Sequence, residues 1–306
     1  MNSIQNKILV VGSFNTDMVI KTTKIPAPGE TILGGKFMMT PGGKGANQAV
    51  AAQRLGGSVT FVGKMGNDLF GKQAIQSLKN EGIDCEHCLI DPQLPSGIAM
   101  ITVDEKGENS IVVASGANGY LSPADCVSVL SKTYDSSIVL LQLEIPLETV
   151  LYVAKTANDR GAKVILNPAP AQALPAELLR NIYLISPNES EAELLTGIQV
   201  KDAQSAQKAA EKLKKKGIQV VIITMGAAGA FLLSDEFTGM IEAPKVQAID
   251  TTAAGDTFNG ALAVALSEGK TIEVAVQFAC RAASVSVTRI GAQSSIPNRE
   301  ELESKF

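Results

Sequence analysis

Apolar runs of strand length that alternate with helix-period segments are the feature that most constrains how this chain can fold. The runs lie at residues 7–12, 59–63, 138–143, 163–167, 182–186 and 219–224. Segments between them place apolar residues at helical spacing, as at Leu147, Val150 and Leu151. Strands that are apolar along nearly their whole length are buried on both faces, which is typical of a parallel sheet covered by helices. We therefore predict an α/β fold with a doubly wound, mostly parallel sheet and helices on both faces, and further helices over 256–268, 271–289 and 298–305.

Two β-rich stretches interrupt this rhythm. Residues 18–40 are punctuated by Pro and Gly, and residues 97–115 hold two β-rich runs joined by a charged turn that contains Gly, which predicts a hairpin. We predict a small antiparallel sheet that stands off the main sheet as a lid, formed by about 17–41 and 97–115. The alternative is an edge extension of the main sheet. The predicted organisation is one α/β domain over residues 1–306 with this lid.

Composition limits the chemistry that the chain can perform. The 306 residues carry 27 Lys and Arg against 31 Asp and Glu, a net charge of −4, and one histidine, His87. A multi-histidine metal site is therefore excluded, and proton transfer is expected to fall on a carboxylate. The acidic balance lacks the basic surface of a general nucleic-acid binder. No apolar run approaches the ~20 residues of a membrane span or the ~7 of a signal segment near the N-terminus, which favours a cytoplasmic protein without a membrane partner.

Four cysteines, Cys85, Cys88, Cys126 and Cys280, raise the question of a metal or redox site. Cys85 and Cys88 form a C-x-x-C pair around His87. No second ligand pair has metal-like spacing, and the motif follows a helix stop at residues 80–82 and does not open a helix. We expect a loop or short strand with reduced thiols.

Residues 250–262 carry the strongest chemical signal. Apolar positions from Phe258 onward follow the helix period, so a helix should begin near Gly255–Thr257, and its free N–H groups would bind an anion. Asp256 is out of place in a simple phosphate site, because a carboxylate repels phosphate. It fits a base that takes a proton from a hydroxyl attacking a phosphoryl group. The alternative is that Asp256 is only an N-cap.

Other polar and glycine-rich segments follow predicted strands. The turn at 224–229, the run at 42–47, the segment Asn15–Asp17 and the segment 186–191 are candidates for nucleotide, sugar and Mg²⁺ contacts. Each also has an ordinary structural interpretation as a turn former or a helix-dipole partner. There is no G-x-x-x-x-G-K-[ST], and no G-x-G-x-x-G follows a strand, so neither a P-loop nucleotidase nor a dinucleotide dehydrogenase is indicated.

Taken together, these segments resemble the phosphofructokinase-B-type carbohydrate kinase family over essentially the full chain. The match is carried by residues 42–49, 141–144, 167–170, 188–191, 224–229 and 250–259, in this order and spacing. The resemblance implies ATP-dependent phosphorylation of a small sugar, with the 5-hydroxyl of D-ribose as the expected acceptor. Inside the family, 2-deoxyribose, fructose or a nucleoside remain alternative substrates. A non-catalytic sugar-binding regulator is the alternative from another class.

The resemblance also assigns roles to residues. Asp256 corresponds to the catalytic base, and the anion hole for the γ-phosphoryl corresponds to Ala253, Ala254 and Gly255. The sugar-binding positions correspond to Asn15, Asp17, Gly43, Lys44, Asn47 and Glu144, with Asp256. Nucleotide and Mg²⁺ positions correspond to Asn188, Glu191, Thr224, Gly226, Gly229, Gly255 and Cys280. Cys280 departs from the His or Asn often found beside the adenine.

Activation by a monovalent cation, typically K⁺, and assembly into a homodimer through the lid sheets are further implications of the resemblance. The cation positions correspond, several through backbone carbonyls, to Asp250, Thr252, Ser286, Arg289, Gly291 and Ser295. The expected small molecules are therefore a sugar, ATP, Mg²⁺ and K⁺. His87 is expected to play no part in catalysis.

Overall fold

The computed structural model describes residues 7–131 and 138–305 and has the predicted α/β architecture. In chain order the strands are β1 Lys7–Val11, β2 Asn15–Lys21, β3 Phe37–Gly42, β4 Ser58–Val62, β5 Lys64–Gly66, β6 Leu89–Asp91, β7 Gly97–Val103, β8 Asn109–Ala114, β9 Ile138–Leu141, β10 Lys163–Leu166, β11 Leu184–Ile185, β12 Val220–Thr224, β13 Ala230–Leu233 and β14 Thr238–Ile241. The α-helices are α1 Lys44–Arg54, α2 Leu69–Asn80, α3 Pro123–Leu130, α4 Leu147–Asp159, α5 Ala176–Arg180, α6 Glu189–Thr196, α7 Ala203–Lys214, α8 Ala254–Ser267, α9 Ile272–Ser286 and α10 Arg299–Lys305.

The main sheet has eight strands in the order β14-β13-β12-β11-β10-β9-β1-β4. The pairings from β12 to β4 are parallel, and β13 and β14 continue the sheet antiparallel. Successive side chains of β1 enter opposite cores: Ile8 belongs to the core that includes residues of α1, α8 and α9, whereas Leu9 belongs to the core that includes residues of α4 and α7. Burial on both faces explains why these strands are apolar throughout.

The two irregular stretches pair with each other in a separate four-stranded sheet, β3-β2-β7-β8, so the edge-extension alternative is wrong. The expected hairpin is present as β7 and β8. The expectation of a purely antiparallel sheet is wrong in one respect, because β2 and β7 pair in parallel. Each of these strands opens its own hairpin, and the two hairpins join side by side through their first strands.

Because β1, β9, β10 and β11 are parallel, their carboxyl ends lie at one edge of the main sheet. The helices that follow such edges present their N-termini there, where ligands bind in open α/β sheets. Among the described residues, no helix is both long enough and apolar enough to cross a membrane.

Candidate active site

The start of α1 lies directly against the end of β1, and two glycines allow this approach. A Cβ on Gly45 would lie 2.6 Å from the backbone nitrogen of Ser13. Gly43, at the N-cap of α1, has a φ of +87°, and a Cβ there would lie 2.6 Å from the backbone nitrogen of Asn15. Any side chain at either position would push the helix away, so the glycines bring the first turns of α1 to the site.

Asp256 is the third residue of α8, and side chains of α1 hold both of its carboxylate oxygens. Asn47 Nδ2 donates to Oδ2 and Gln48 Nε2 donates to Oδ1, each at 2.9 Å. Ala253 occupies the N-cap position, so the alternative that Asp256 is only an N-cap is wrong. A carboxylate offers about four lone-pair positions, so two hydrogen bonds leave Asp256 able to accept a proton.

The N-terminus of α8 is open beside this carboxylate. Ala253 has a left-handed backbone, with φ of 58°, and is the single non-glycine residue with positive φ among residues 7–131 and 138–305. A Cβ built on Gly255 would meet no heavy atom within 4 Å. The first N–H groups of a helix have no partners within the helix and carry its positive dipole end. The strained turn and the bare glycine thus leave the positive end of α8 accessible beside Asp256.

Asn47 also contributes a buried acceptor that lacks a partner. Its Nδ2 is used by Asp256, while Oδ1 makes no hydrogen bond although the residue is only 5% exposed. An unsatisfied buried acceptor costs about 1–3 kcal/mol. A hydroxyl of a bound ligand would satisfy it.

The predicted sugar-binding side chains lie around the same space. Glu144, which follows β9, accepts hydrogen bonds from the Ser13 hydroxyl and from Lys44 N, the latter at 3.0 Å. Asn15 Oδ1 accepts from Asn118 Nδ2 at 2.9 Å, which fixes the orientation of the Asn15 amide. The site therefore combines carboxylate acceptors with amide donors, as a polyhydroxyl ligand requires.

Lys44 sits in the field of the surrounding carboxylates. Burial alone lowers the pKa of its ammonium, but these carboxylates outweigh burial and raise that pKa above its ordinary value. In decreasing order of effect, they belong to Asp256, Glu144, Glu191 and Asp17. Lys44 is therefore a permanent cation at the centre of the acidic cluster.

Asp17 is the carboxylate most affected by this crowding. Burial is the largest cause that raises the pKa of Asp17 to about 7, and Glu144 adds to the effect. Near neutral pH the Asp17 carboxyl group is therefore present in both protonation states.

Asn188 and Glu191 form a reciprocal capping box at the start of α6. Asn188 Oδ1 accepts from Glu191 N at 2.8 Å, and Glu191 Oε2 accepts from Asn188 N at 2.9 Å. Burial raises the pKa of Glu191, against that hydrogen bond and the charge of Lys44. The two side chains therefore cap the start of α6, and the buried Glu191 carboxylate also belongs to the electrostatic cluster of the site.

The glycine turn after β12 adjoins this capping box. Thr224 N donates to the carbonyl of Pro187 at 2.9 Å, and Thr224 pairs with Asn188 in an isolated bridge. Gly229 has a φ of +98°, and a Cβ there would lie 2.1 Å from the carbonyl oxygen of Ile241. Gly226, in contrast, faces open space. The turn therefore offers bare backbone next to α6.

Asp250 ties the segment before α8 to the loop after α9. Its Oδ1 accepts from Thr252 N and Oγ1, at 2.9 and 2.6 Å, and its Oδ2 accepts from Gly291 N at 2.8 Å. Burial acts to raise the pKa of Asp250, but these hydrogen bonds outweigh it and hold that pKa below its ordinary value. Three of the predicted cation-site residues thus meet directly.

The side chains of the remaining predicted cation-site residues have other partners. The hydroxyls of Ser286 and Ser295 donate to carbonyls of their own turns, at 2.9 and 2.8 Å. The Arg289 guanidinium forms an ion pair with Glu301. Groups of three or more His, Cys, Asp or Glu side chains placed to hold a metal ion do not occur in the part of the chain that is described.

The cysteines and the histidine lie outside α8, the helix that carries Asp256. Cys85 and Cys88 flank a turn before β6, are half-buried and are free thiols. The His87 ring contacts the hydroxyl of Ser128 at 3.3 Å. Cys280 lies in α9 and is only 4% exposed, and burial raises the pKa of its thiol to about 12. Its place beside the adenine stays a prediction.

Sequence patterns missed Asn118 and the role of Gln48. Asn118 follows the small sheet in the chain and reaches back 104 residues to Phe14, where it accepts from the backbone N–H at 3.0 Å and donates to the carbonyl at 2.9 Å. Gln48 contacts Asp256 across 208 residues. No local pattern marks such contacts, because they depend on how distant elements meet.

This geometry agrees with comparisons to known proteins. The model of the pfkB family carbohydrate kinases matches residues 5–299. The chain belongs to this family. Membership in the pfkB family makes it an enzyme that phosphorylates a carbohydrate.

Curated and solved members of the pfkB family match nearly the whole chain. The ribokinase of Haemophilus influenzae is 48% identical over 298 residues, covering 97% of each protein. The deoxyribokinase of Salmonella typhi is 37% identical and covers 96% of each. The structure of Arabidopsis thaliana ribokinase complexed with ribose and ATP has a TM-score of 0.90 at 35% identity, covering 99% of this chain and 100% of the other.

Proposed function

We propose that this chain transfers the γ-phosphoryl group of ATP to the 5-hydroxyl of D-ribose. The observation that carries the proposal is the buried Asp256 carboxylate at the open N-terminus of α8, next to side chains suited to a polyhydroxyl ligand. The relative solved with ribose and ATP supports the choice of both substrates.

Asp256 is the base in this proposal. It accepts the proton of the sugar hydroxyl while that oxygen attacks the γ-phosphorus, and ADP leaves. The negative charge on the transferring group is stabilised by backbone N–H groups of the predicted anion hole, Ala253 to Gly255, at the helix N-terminus. The same N–H groups offset the repulsion between the carboxylate and the phosphates.

The sugar is held by acceptors and donors that the chain has already oriented. Asn47 Oδ1, buried and without a partner, accepts one hydroxyl. Asp17 and Glu144 accept further hydroxyls, while Asn15 Nδ2 donates, since its Oδ1 is engaged by Asn118. Gly43 has no side chain to occupy the sugar's place.

The nucleotide lies over the turn after β12 in this proposal. Thr224, Gly226 and Gly229 contact it, and Cys280 lies toward its base. Glu191 uses one carboxylate oxygen in the capping box, so its other oxygen is left for Mg²⁺. One such oxygen is sufficient, because this ion keeps several waters and needs few carboxylates. Mg²⁺ bound with ATP neutralises phosphate charge, and Asn188 and Glu191 would hold its hydration shell.

A monovalent cation site is proposed on the carbonyl groups around Asp250. The side chains at these positions already have partners, so we place the ligands on backbone carbonyls of the six predicted positions, a donor type that K⁺ prefers. Because residues 250–252 lead directly into Ala253, an ordered loop there fixes the anion hole. We expect several-fold higher turnover in K⁺ than in tetramethylammonium. Equal rates in the two cations would refute this site.

The small sheet is proposed to act both as a lid and as a dimer contact. It exposes apolar side chains that share one face across neighbouring strands, including Met39 at 52%, Met100 at 45% and Val112 at 68%. Such a patch is typical of an interaction surface. Sedimentation equilibrium should give a homodimer for the wild type and a monomer for Val112→Arg.

An ATP-coupled assay over a sugar panel tests the proposed activity. Ribose should give the highest kcat/KM, ahead of 2-deoxyribose, fructose and a nucleoside. The deoxyribokinase among the relatives makes 2-deoxyribose the second candidate, and a preference for it would move the assignment there. Binding of ribose by calorimetry without turnover of any sugar would instead indicate a non-catalytic regulator.

A further inference from the structure

The carboxylate of Asp256 is connected to a buried network of amides that the chemistry of the site does not itself use. Gln48 is completely buried, and its Nε2 donates both to Asp256 Oδ1 at 2.9 Å and to Asn167 Oδ1 at 3.0 Å. Its Oε1 accepts from Gln142 Nε2 at 2.6 Å. Both polar atoms of this amide are therefore engaged, and its orientation is fixed.

The partners of Gln48 stand at the ends of neighbouring strands. Gln142 directly follows β9 and Asn167 directly follows β10, and the backbone joins them because Asn167 N donates to the Leu141 carbonyl at 2.9 Å. Asn167 Nδ2 in turn donates to the carbonyl of Ser186, just after β11, at 3.4 Å. Gln48 is thus held by residues at the ends of central strands of the main sheet.

The network then returns to the helix that carries Asp256. The Ser186 hydroxyl donates to Asn259 Oδ1 at 2.6 Å, and Asn259 Nδ2 donates to the carbonyl of Gly255 at 2.8 Å. Both ends of the chain of contacts therefore lie on the first turns of α8. The network therefore connects the Asp256 carboxylate with the backbone of the helix end at which the phosphoryl group would sit.

We propose that Gln48 is a positioning residue for Asp256. The proposal rests on the proposed function, in which Asp256 is the base. Gln48 gives one oxygen a fixed donor from behind, so that the lone pairs left over point toward the sugar hydroxyl. Asn47 serves the other oxygen but also faces the ligand through its unpartnered Oδ1, whereas every polar atom of Gln48 faces protein.

Two variants of Gln48 separate positioning from mere packing. Gln48→Asn keeps the amide but withdraws it by one methylene, and Gln48→Glu keeps the shape but replaces the donor by a carboxylate. We expect kcat to fall about 10- to 100-fold in both, because small displacements of a reacting group cost about that much. The KM for ATP should stay within about 2-fold of the wild type.

A pH profile distinguishes Gln48→Glu from a generally damaged enzyme. The carboxyl group introduced by this substitution can still donate to Asp256 when it is protonated, whereas its ionised form repels Asp256. The kcat of this variant should therefore decline as pH rises through a range where wild-type kcat is flat. Gln53→Glu is the matched control, since Gln53 lies on the same helix and bonds Val59 N through an oxygen that Glu retains.

Calorimetry with ADP reports whether each variant is folded. If neither Gln48 variant binds ADP, the variant Gln142→Leu tests the proposal instead. It removes Gln142 Nε2, the donor that orients Gln48, and Gln142 Oε1, an acceptor that has no partner. A kcat that is lower by about threefold or more, with ADP binding retained, supports the proposal. Unchanged kcat in the variants that bind ADP overturns it, and an active Asp256→Asn would instead overturn the proposed base itself.

Discussion

Replacing Asp17 by Asn should separate the stability of the ligand-free chain from its affinity for sugar. The pKa of Asp17 is raised from 3.8 to about 7, mainly by burial. Between these two values the folded chain keeps a proton that the unfolded chain releases. Stability therefore falls as pH rises from about 4 to 7, and above pH 7 the whole penalty persists.

The size of this penalty follows from the shift. At about 1.4 kcal/mol per pH unit the shift corresponds to roughly 4 kcal/mol. Asp17 is only half-buried, so solvent screening reduces the effect, and we expect about 1–2 kcal/mol. Asp17→Asn should raise the free energy of unfolding by that amount at pH 8 and by less at pH 5.

The same change should damage sugar binding, because the ionised carboxylate is the form that accepts two hydroxyls. Wild-type kcat/KM for ribose should therefore increase about 10-fold per pH unit below pH 7 and level off above it. In Asp17→Asn the KM for ribose should increase at least ~10-fold and this pH dependence should disappear.

Urea unfolding followed by circular dichroism at pH 5 and pH 8 measures the stability change, since the chain has no tryptophan for fluorescence. A variant that is less stable than the wild type at both pH values would refute the account. So would a variant that retains the wild-type dependence of kcat/KM on pH.

Two further substitutions test how the site is built. Asn118→Ala should raise the KM for ribose about 10-fold with a smaller change in kcat, because it frees the amide of Asn15; steady-state kinetics checks this, and an unchanged KM would contradict it. Gly260→Ala places a Cβ 2.5 Å from that of Ala51, where α8 packs on α1, so thermal unfolding should show a loss of about 1–3 kcal/mol and kcat should also fall. Wild-type stability in this variant would show that the two helices are not closely packed there.

Local patterns were sufficient to predict the main elements of the fold. The apolar runs became strands with ends within about two residues, although 182–186 contributes only Leu184–Ile185 to the sheet. Of helix α2 only the stop at residues 80–82 was recognised, because two of the three buried residues on its face are Gly71 and Ala74, which are too small to form an apolar stripe. The parallel pairing of β2 and β7 was also missed, since pairing between distant hairpins leaves no local mark.

Sequence patterns point to candidate site residues but not to the residues that support them. Asp256 and the glycines of residues 42–45 stand out because they have unusual backbone or charge requirements at element ends. Asn118 and Gln48 do not stand out, since a buried amide is recognised only by the partners that it meets across the fold. The interpretation of Asp256 as only an N-cap could be excluded only once Ala253 was seen at that position.

The most direct test of the central claim is the turnover of Asp256→Asn with ribose, ATP, Mg²⁺ and K⁺. The Asn side chain fills the same space but cannot accept the hydroxyl proton, so kcat should fall about 10²- to 10⁴-fold. ADP and ribose should still bind, as measured by calorimetry, because the helix N-terminus and the sugar-binding side chains remain. A variant that binds both ligands and turns over within about 3-fold of the wild-type rate would contradict the assignment of Asp256 as the base.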